Sequence, residues 1–309
     1  MFENIEMRVV LGNLLKETLE KDKKVVVLDA DLANANGTLK LRDSFPDRAF
    51  DVGVAEANMA SMAAGMASYG YKPFITSFTP FATRRIADQI AISICYSNMN
   101  VKIIGTDPGI SAEFNGGTHM SVEDIGILRG IPNIVIYEPV DAVQLFKSWD
   151  AILNYVGPLY IRLFRKDSKI IFKDDYKFDL FKADILKEGK DLTIFASGIM
   201  VEESLKAIEE LKGIDIELIN VHTIKPIDKE TVIKSALKTK RVVIAENHNI
   251  INGLGSAILE TLENNPVPSK RIGIPDRFGE VGKMPYLKEI MHMTKDDIIQ
   301  AVKELMTSK

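Results

Sequence analysis

The chain has 309 residues, 46% of them apolar and 27% charged, with a formal net charge of −4. That length exceeds the ~250–300 residues at which one hydrophobic core stops growing, so two domains are expected. Lysines and arginines are interspersed with acids, which leaves no electrostatic footprint for nucleic acid or an anionic membrane.

In chain order, short β-branched runs alternate with longer amphipathic patterns. KKVVVLDA, RAFDVGV, PFITSF, NVKIIGT, NIVIYE and PLYIRLF read as buried strands. MRVVLGNLLKETLEK, NMASMAAGMASYG, PFATRRIADQIAISICYSNM, SVEDIGILRG and DAVQLFKSWDAILNY read as the helices between them. Continuous apolar strands alternating with helices predict a parallel sheet covered on both faces. From Arg165 the texture changes: RKDSKIIFKDDYKFDLFKADILKEGK is charged, weakly periodic and reads as a linker. Alternation then restarts, with LTIFASG, IDIELIN, RVVIAEN and RIGIPD as strands and four further helices. Asp141 and Thr294 are placed as N-caps, the latter with Asp297 three residues on. The expectation is an α/β chain of two domains, residues 1–168 and 191–309, joined by a linker over 169–190. The single cysteine, Cys95, forms no internal disulfide and fits an apolar helix face. MFENIEMRVV lacks a secretory pattern, and no apolar run reaches the ~20 residues of a membrane span. A cytoplasmic location is expected.

Three stretches carry chemistry. In FDVGVAEANMASMAAGMASYG, Glu56 stands where the strand becomes a helix, among Val54, Ala55, Ala57, Met59 and Ala60. The carboxyl edge of a parallel sheet is where ligands of open α/β folds collect. A carboxylate there either complements the helix dipole or, in so dry a setting, needs a dedicated partner. In TSFTPFATRRIADQI, Phe78 and Phe81 pack a core or wall a flat ring, and Arg84 and Arg85 read as surface charges. The long loop GTDPGISAEFNGGTHMSVEDIG carries Asp107, Glu113, Asn115 and His119 among glycines, a composition typical of functional loops. There is no zinc-like histidine spacing, CxxC, P-loop or GxSxG. NGLGSA is too weak to be a nucleotide site, and His222, His248 and His292 are read as structural.

Taken as a set, DVGVAEANMASMAAGMA, PFITSFTPFATRRIADQI, NGGTHMSVEDIGILRGIPNI, GPLYIRLFRKDS and VHTIKPID resemble the C-terminal half of a transketolase. That half is a pyrimidine-binding domain followed by a smaller, mixed-sheet C-terminal domain. The resemblance implies thiamine diphosphate chemistry. Glu56 corresponds to the glutamate that bonds a nitrogen of the aminopyrimidine and favours the imino tautomer, which takes the proton from the thiazolium carbon. Phe81 corresponds to the ring stacked on the pyrimidine, Phe78 lines the same pocket, and Arg84 stands where the family often has an aromatic. His119 matches a histidine near the donor hydroxyls, Arg165 an arginine that holds substrate phosphate, and Asp31 falls in the substrate-binding set. Three positions depart from the family pattern: Asp107 for a histidine, Asn115 for an aspartate that reads donor stereochemistry, and Ala35 for a phosphate-binding serine. The resemblance implies transfer of a two-carbon ketol unit between sugar phosphates, and these departures imply a branched or modified ketose phosphate as donor in place of the usual xylulose and sedoheptulose phosphates.

The family holds Mg²⁺ and diphosphate through a GDG motif in an N-terminal domain, and this chain contains no GDG. The resemblance therefore implies a separate N-terminal subunit that carries the metal ligands, and an assembly of two large and two small chains. Two rivals remain open at this stage. One is the β subunit of a 2-oxo-acid dehydrogenase or a deoxyxylulose-phosphate-synthase-like enzyme, and the other is a non-catalytic assembly module.

Overall fold

The computed structural model describes residues 2–307. The chain divides into two compact units, Met1–Pro108 with Ile127–Leu180, and Gly109–Gly126 with Phe181–Lys309. The first unit runs α1 (Met7–Lys21), β1 (Val25–Asp29), α2 (Ala33–Asn36), α3 (Leu39–Ser44), β2 (Ala49–Asp51), α4 (Glu56–Ser68), β3 (Lys72–Phe78), α5 (Thr79–Ala82) and β4 (Lys102–Thr106). After α6 (Asp124–Arg129) come β5 (Val135–Tyr137), α7 (Ala142–Asn154) and β6 (Leu159–Leu163). Within this unit the strand order is β5-β6-β4-β3-β1-β2, and every pairing is parallel. Strands β1, β4, β5 and β6 are buried along their whole length, as strands covered on both faces must be.

One cover is built from α1 and α7. Leu11, Leu15 and Leu19 recur every four residues on α1 and bury against Leu145, Trp149 and Ile152. Trp149 stacks on Phe74 at 5.5 Å and donates its indole hydrogen to Thr18 Oγ1 at 2.8 Å, so the one tryptophan is both packed and satisfied. The N-cap placed at Asp141 is present: its carboxylate accepts from Gln144 N at 2.7 Å.

The sequence predicts a single helix over residues 80–99, PFATRRIADQIAISICYSNM. Instead α5 ends at Ala82, a 3₁₀ turn covers Arg84–Ile86, and a π-helix covers Gln89–Tyr96. The break falls at Thr83, whose backbone leaves the helical region and whose hydroxyl donates to Thr79 O at 2.6 Å. A threonine side chain that bonds the preceding turn offers the backbone an alternative to regular helix.

The second unit contains β7 (Asp184–Lys187), β8 (Leu192–Ala196), α8 (Met200–Glu210), β9 (Ile216–Asn220), β10 (Thr223–Lys225), α9 (Lys229–Thr239), β11 (Val242–Asn249), α10 (Leu254–Thr261), β12 (Ser269–Ile274), α11 (Met284–Ile290) and α12 (Lys295–Thr307). Its five-stranded sheet has the order β12-β11-β8-β9-β7, with β7 antiparallel to β9 and the remaining pairs parallel. β7 lies inside the charged stretch read as linker. Before α12, Thr294 and Asp297 form a reciprocal capping box, with Thr294 N donating to Asp297 Oδ2 at 2.9 Å and Asp297 N to Thr294 Oγ1 at 3.4 Å. Among the described residues no helix is long and apolar enough to cross a membrane.

Candidate functional site

Glu56 is the first residue of α4 and is 4% exposed. Its backbone position follows from a clamp between two strand ends. Arg42 Nη2 grips both carboxylate oxygens of Asp29, at 2.7 and 2.8 Å, while its Nη1 lies 2.9 Å from Asp51 Oδ2. Asp51 Oδ1 accepts from Asp31 N at 3.0 Å and Gly53 N at 2.8 Å, which fixes the chain just ahead of α4. Burial pushes the Asp29 carboxyl up, against the pull of Arg42. Burial acts the same way on Asp51, but the Gly53 and Asp31 amides and Arg42 outweigh it and hold that carboxyl below its ordinary value. Asp31 itself is exposed, with φ at 60°, and it is the backbone that ties it into this clamp. Behind Glu56, the buried Met59, Ala60, Ala63 and Ala64 make α4 a thin helix that packs close to β3 and the π-helix.

The partner that a dry carboxylate requires is Arg85. Its Nη1 meets Glu56 Oε1 at 2.5 Å, and its Cζ lies 3.8 Å from the centroid of the Phe81 ring. Arg85 was read as a surface charge, and the structure corrects this: the side chain is 43% exposed, but its head is committed to Glu56 and Phe81. Arg84 is exposed at the start of the 3₁₀ turn. Phe78, at the end of β3, is 8% exposed and tilted against Phe81 with centroids 6.2 Å apart.

The Phe78 ring also meets Arg165, whose Cζ lies 5.1 Å from the ring centroid. Arg165 Nε is 2.6 Å from Asp107 Oδ2, and Asp107 is 1% exposed with φ at 54°. Under these groups a buried polar seam ties the strand ends together. Asn36 donates to Thr76 Oγ1 and accepts from Thr106 Oγ1, each at 2.8 Å, and Thr79 Oγ1 donates to Thr106 O at 2.9 Å. Glu56, Arg85, Phe81, Phe78, Arg165 and Asp107 thus form one contiguous chain of contacts at the carboxyl edge of the first unit's sheet.

Asn115 and His119 lie in Gly109–Gly126, which belongs to the second unit. Asn115 is exposed at the end of a 3₁₀ segment, and His119 is half-buried with Nδ1 2.9 Å from Thr118 Oγ1. The segment is pinned to the end of β11. Gly109 has φ at 56°, and a Cβ there would fall 2.2 Å from Asn247 Oδ1, so only glycine fits. Ile110 N donates to that same Oδ1 at 3.0 Å, and Glu113 Oε1 accepts from Met284 N at 2.7 Å. His248 accepts at Nε2 from Gly126 N at 3.2 Å and lies 2.7 Å through Nδ1 from Asn249 O, partners that assign the Nδ1–H tautomer. NGLGSA is a helix start whose Leu254 and Gly255 amides donate to Glu246, at 2.6 and 2.9 Å. Among the described residues no group of three or more His, Cys, Asp or Glu side chains could hold a metal ion.

The first unit is thus a parallel α/β unit with a buried carboxylate and paired aromatics at the carboxyl edge of its sheet, the edge at which open α/β folds collect ligands. The comparisons with known proteins give the family. Residues 3–169 match the model of the transketolase pyrimidine-binding domain, and residues 181–298 that of the transketolase C-terminal domain. The chain belongs to the transketolase family. It is 51% identical over 306 residues to the 6-deoxy-6-sulfo-D-fructose transketolase subunit SqwH of Clostridium sp. (strain MSTE9), covering 98% of this chain and 95% of that one. It is 36% identical over 278 residues to an apulose-4-phosphate transketolase subunit of Phocaeicola vulgatus, covering 88% of each. A solved split-gene transketolase, an inactive β4 tetramer, superposes with a TM-score of 0.88 at 37% identity, over 98% of this chain and 99% of that one. The chain accordingly corresponds to the C-terminal subunit of a transketolase-type transferase.

Proposed function

We propose that Glu56, Phe78, Phe81 and Arg84 form the pyrimidine half of a thiamine diphosphate site, with Asp31, Asp107, Asn115, His119 and Arg165 serving the sugar substrates. The observation that carries the reading is the buried Glu56 carboxylate beside the Phe81 face. The residues present fit an aminopyrimidine. The Arg85 guanidinium is itself a flat, hydrogen-bonding cation, and it both stacks on Phe81 and bonds Glu56, the two contacts such a ring requires. When bound, the cofactor supplies a nucleophilic carbon that accepts a two-carbon ketol unit. Glu56 would hold a proton at the ring nitrogen, the two phenylalanines would exclude water, and His119 would exchange protons with donor hydroxyls. Mg²⁺ and the diphosphate belong on the N-terminal partner, in an assembly of two large and two small chains. That a solved relative made only of such β chains is described as inactive supports this dependence on a partner.

The donor in this reading is a ketose with an anionic terminus, outside the xylulose and sedoheptulose phosphate pair. Asp107, Asn115 and Ala35 support it, as do relatives named for 6-deoxy-6-sulfo-D-fructose and apulose 4-phosphate. Co-expression with the N-terminal partner and a panel of ketose donors tests it. A clear preference for xylulose 5-phosphate would sink the donor assignment.

A further inference from the structure

Arg165 follows β6 with its guanidinium engaged on three sides. Besides Asp107 and the Phe78 ring, its Nη1 donates to the Ala35 carbonyl at 3.2 Å. Arg8, in the first turn of α1, donates through Nη1 to that same carbonyl at 3.3 Å. The start of α1 is held there by two backbone hydrogen bonds, Met7 N to Lys166 O and Arg8 N to Arg165 O, both 3.0 Å. Two guanidinium groups from distant parts of the sequence therefore converge on one oxygen beside the aromatic wall. No local pattern in the sequence marks Arg8 for this position.

Their counterions differ in kind. Glu6 meets Arg8 at 2.7 Å, but those side chains are 38% and 32% exposed, so an arriving anion can displace it. Asp107 is 1% exposed, and its own amide donates to Leu163 O at 3.0 Å, so its carboxylate stays with Arg165.

We infer that Asp107 is a specificity-determining residue that sets this pair of arginines for a singly charged terminus on the donor, a sulfonate rather than a phosphate. The inference rests on the donor reading above and names the terminal group. With Glu6 displaced, two arginines less the resident Asp107 carboxylate leave a single positive charge. A sulfonate brings the cluster to neutrality. A phosphate ester carries about −1.5 to −2 at pH 7, and the excess charge would lie beside a buried carboxylate in a low-dielectric site. Ala35 acts in the same direction. Its carbonyl is already taken by the arginines, and it offers no hydroxyl to donate to a further phosphate oxygen.

The test uses the assembled enzyme, this chain with its N-terminal partner and cofactor, with one acceptor aldose and two donors, 6-deoxy-6-sulfo-D-fructose and fructose 6-phosphate. In wild type kcat/KM favours the sulfonate. In Asp107→Asn the sulfonate-to-phosphate ratio falls on the order of tenfold or more, mainly through KM for the phosphate donor. A second arm needs no variant and decides alone should Asp107→Asn not assemble. The second ionisation of phosphate lies near pH ~6 while a sulfonate stays singly charged, so the phosphate donor gains relative to the sulfonate as pH falls from about 7.5 to 5.5. A ratio unchanged in Asp107→Asn, or flat across that range, overturns the inference. Wild type that transfers a ketol from neither donor overturns the donor reading beneath it as well.

Discussion

In the proposed site Arg85 takes the place of a stacked, hydrogen-bonding ring, between Glu56 and Phe81, so removing it should tighten cofactor binding. The magnitude follows from what must be displaced. Its ion pair with Glu56 involves a side chain that is 43% exposed, which limits the pair to about 1 kcal/mol after solvent screening. The cation–π contact with Phe81, at 3.8 Å, adds roughly 0.5–1 kcal/mol at a partly exposed site. A competitor worth about 1–2 kcal/mol corresponds to roughly 5- to 30-fold in a dissociation constant. Arg85→Ala in the assembled complex should therefore bind thiamine diphosphate more tightly by that factor, measured by calorimetric titration at fixed Mg²⁺. Arg84→Ala is the comparator and should weaken binding, as expected of a pocket residue. Weaker binding by Arg85→Ala would refute the reasoning, because it would make Arg85 part of the cofactor's own support.

Other consequences concern stability and can be read on the chain by urea unfolding. Arg162 is fully buried and bonds Glu138 at 2.5 Å, so Glu138→Ala takes a carboxylate partner from a buried guanidinium and should cost ~3–5 kcal/mol, whereas the double change Glu138→Leu with Arg162→Met should cost far less. Equal losses for the two would contradict the pair's assignment. Lys102 is 3% exposed, and burial, then the charge of Lys72, pushes its ammonium down to about 7. Between that value and its ordinary one near 10.5 the unfolded chain holds more protons than the folded chain. Stability from this group should therefore rise with pH from about 7 to 10, and Lys102→Met should lose that slope. Arg42→Met frees the ends of β1 and β2 and leaves Asp29 buried without its counterion. Stability should fall by ~3–5 kcal/mol, with ketol transfer in the assembled complex falling alongside it as the start of α4 loses its anchor.

The strands and the Asp141 and Thr294 caps were legible because each rests on local pattern: apolar runs bounded by breakers, and a polar side chain three residues from its amide. Glu56 was legible as the one carboxylate interrupting a small-residue helix start. The misses are of another kind. Arg85 reaches a residue 29 positions earlier and Arg8 one 27 positions later, distances over which a flexible side chain leaves no periodic trace. The helix expected over residues 80–99 failed at Thr83, where one side-chain hydrogen bond outweighed a continuous apolar period. β7 was hidden because an edge strand amid charges shows little alternation, its pairing with β9 being supplied by the sheet. That Gly109–Gly126 groups with the second unit depends on Asn247 and Met284, more than 100 residues away, and no window on the sequence contains that information.

The central claim is that this chain supplies the activating carboxylate of a transketolase completed by a second chain. The direct measurement is cofactor-dependent ketol transfer by this chain alone, by its N-terminal partner alone, and by the two together, each with wild type and Glu56→Ala. The account predicts turnover only in the wild-type mixture, with Glu56→Ala reducing it by at least about 100-fold while assembly persists. Turnover by this chain alone, or undiminished turnover in the Glu56→Ala mixture, would contradict it.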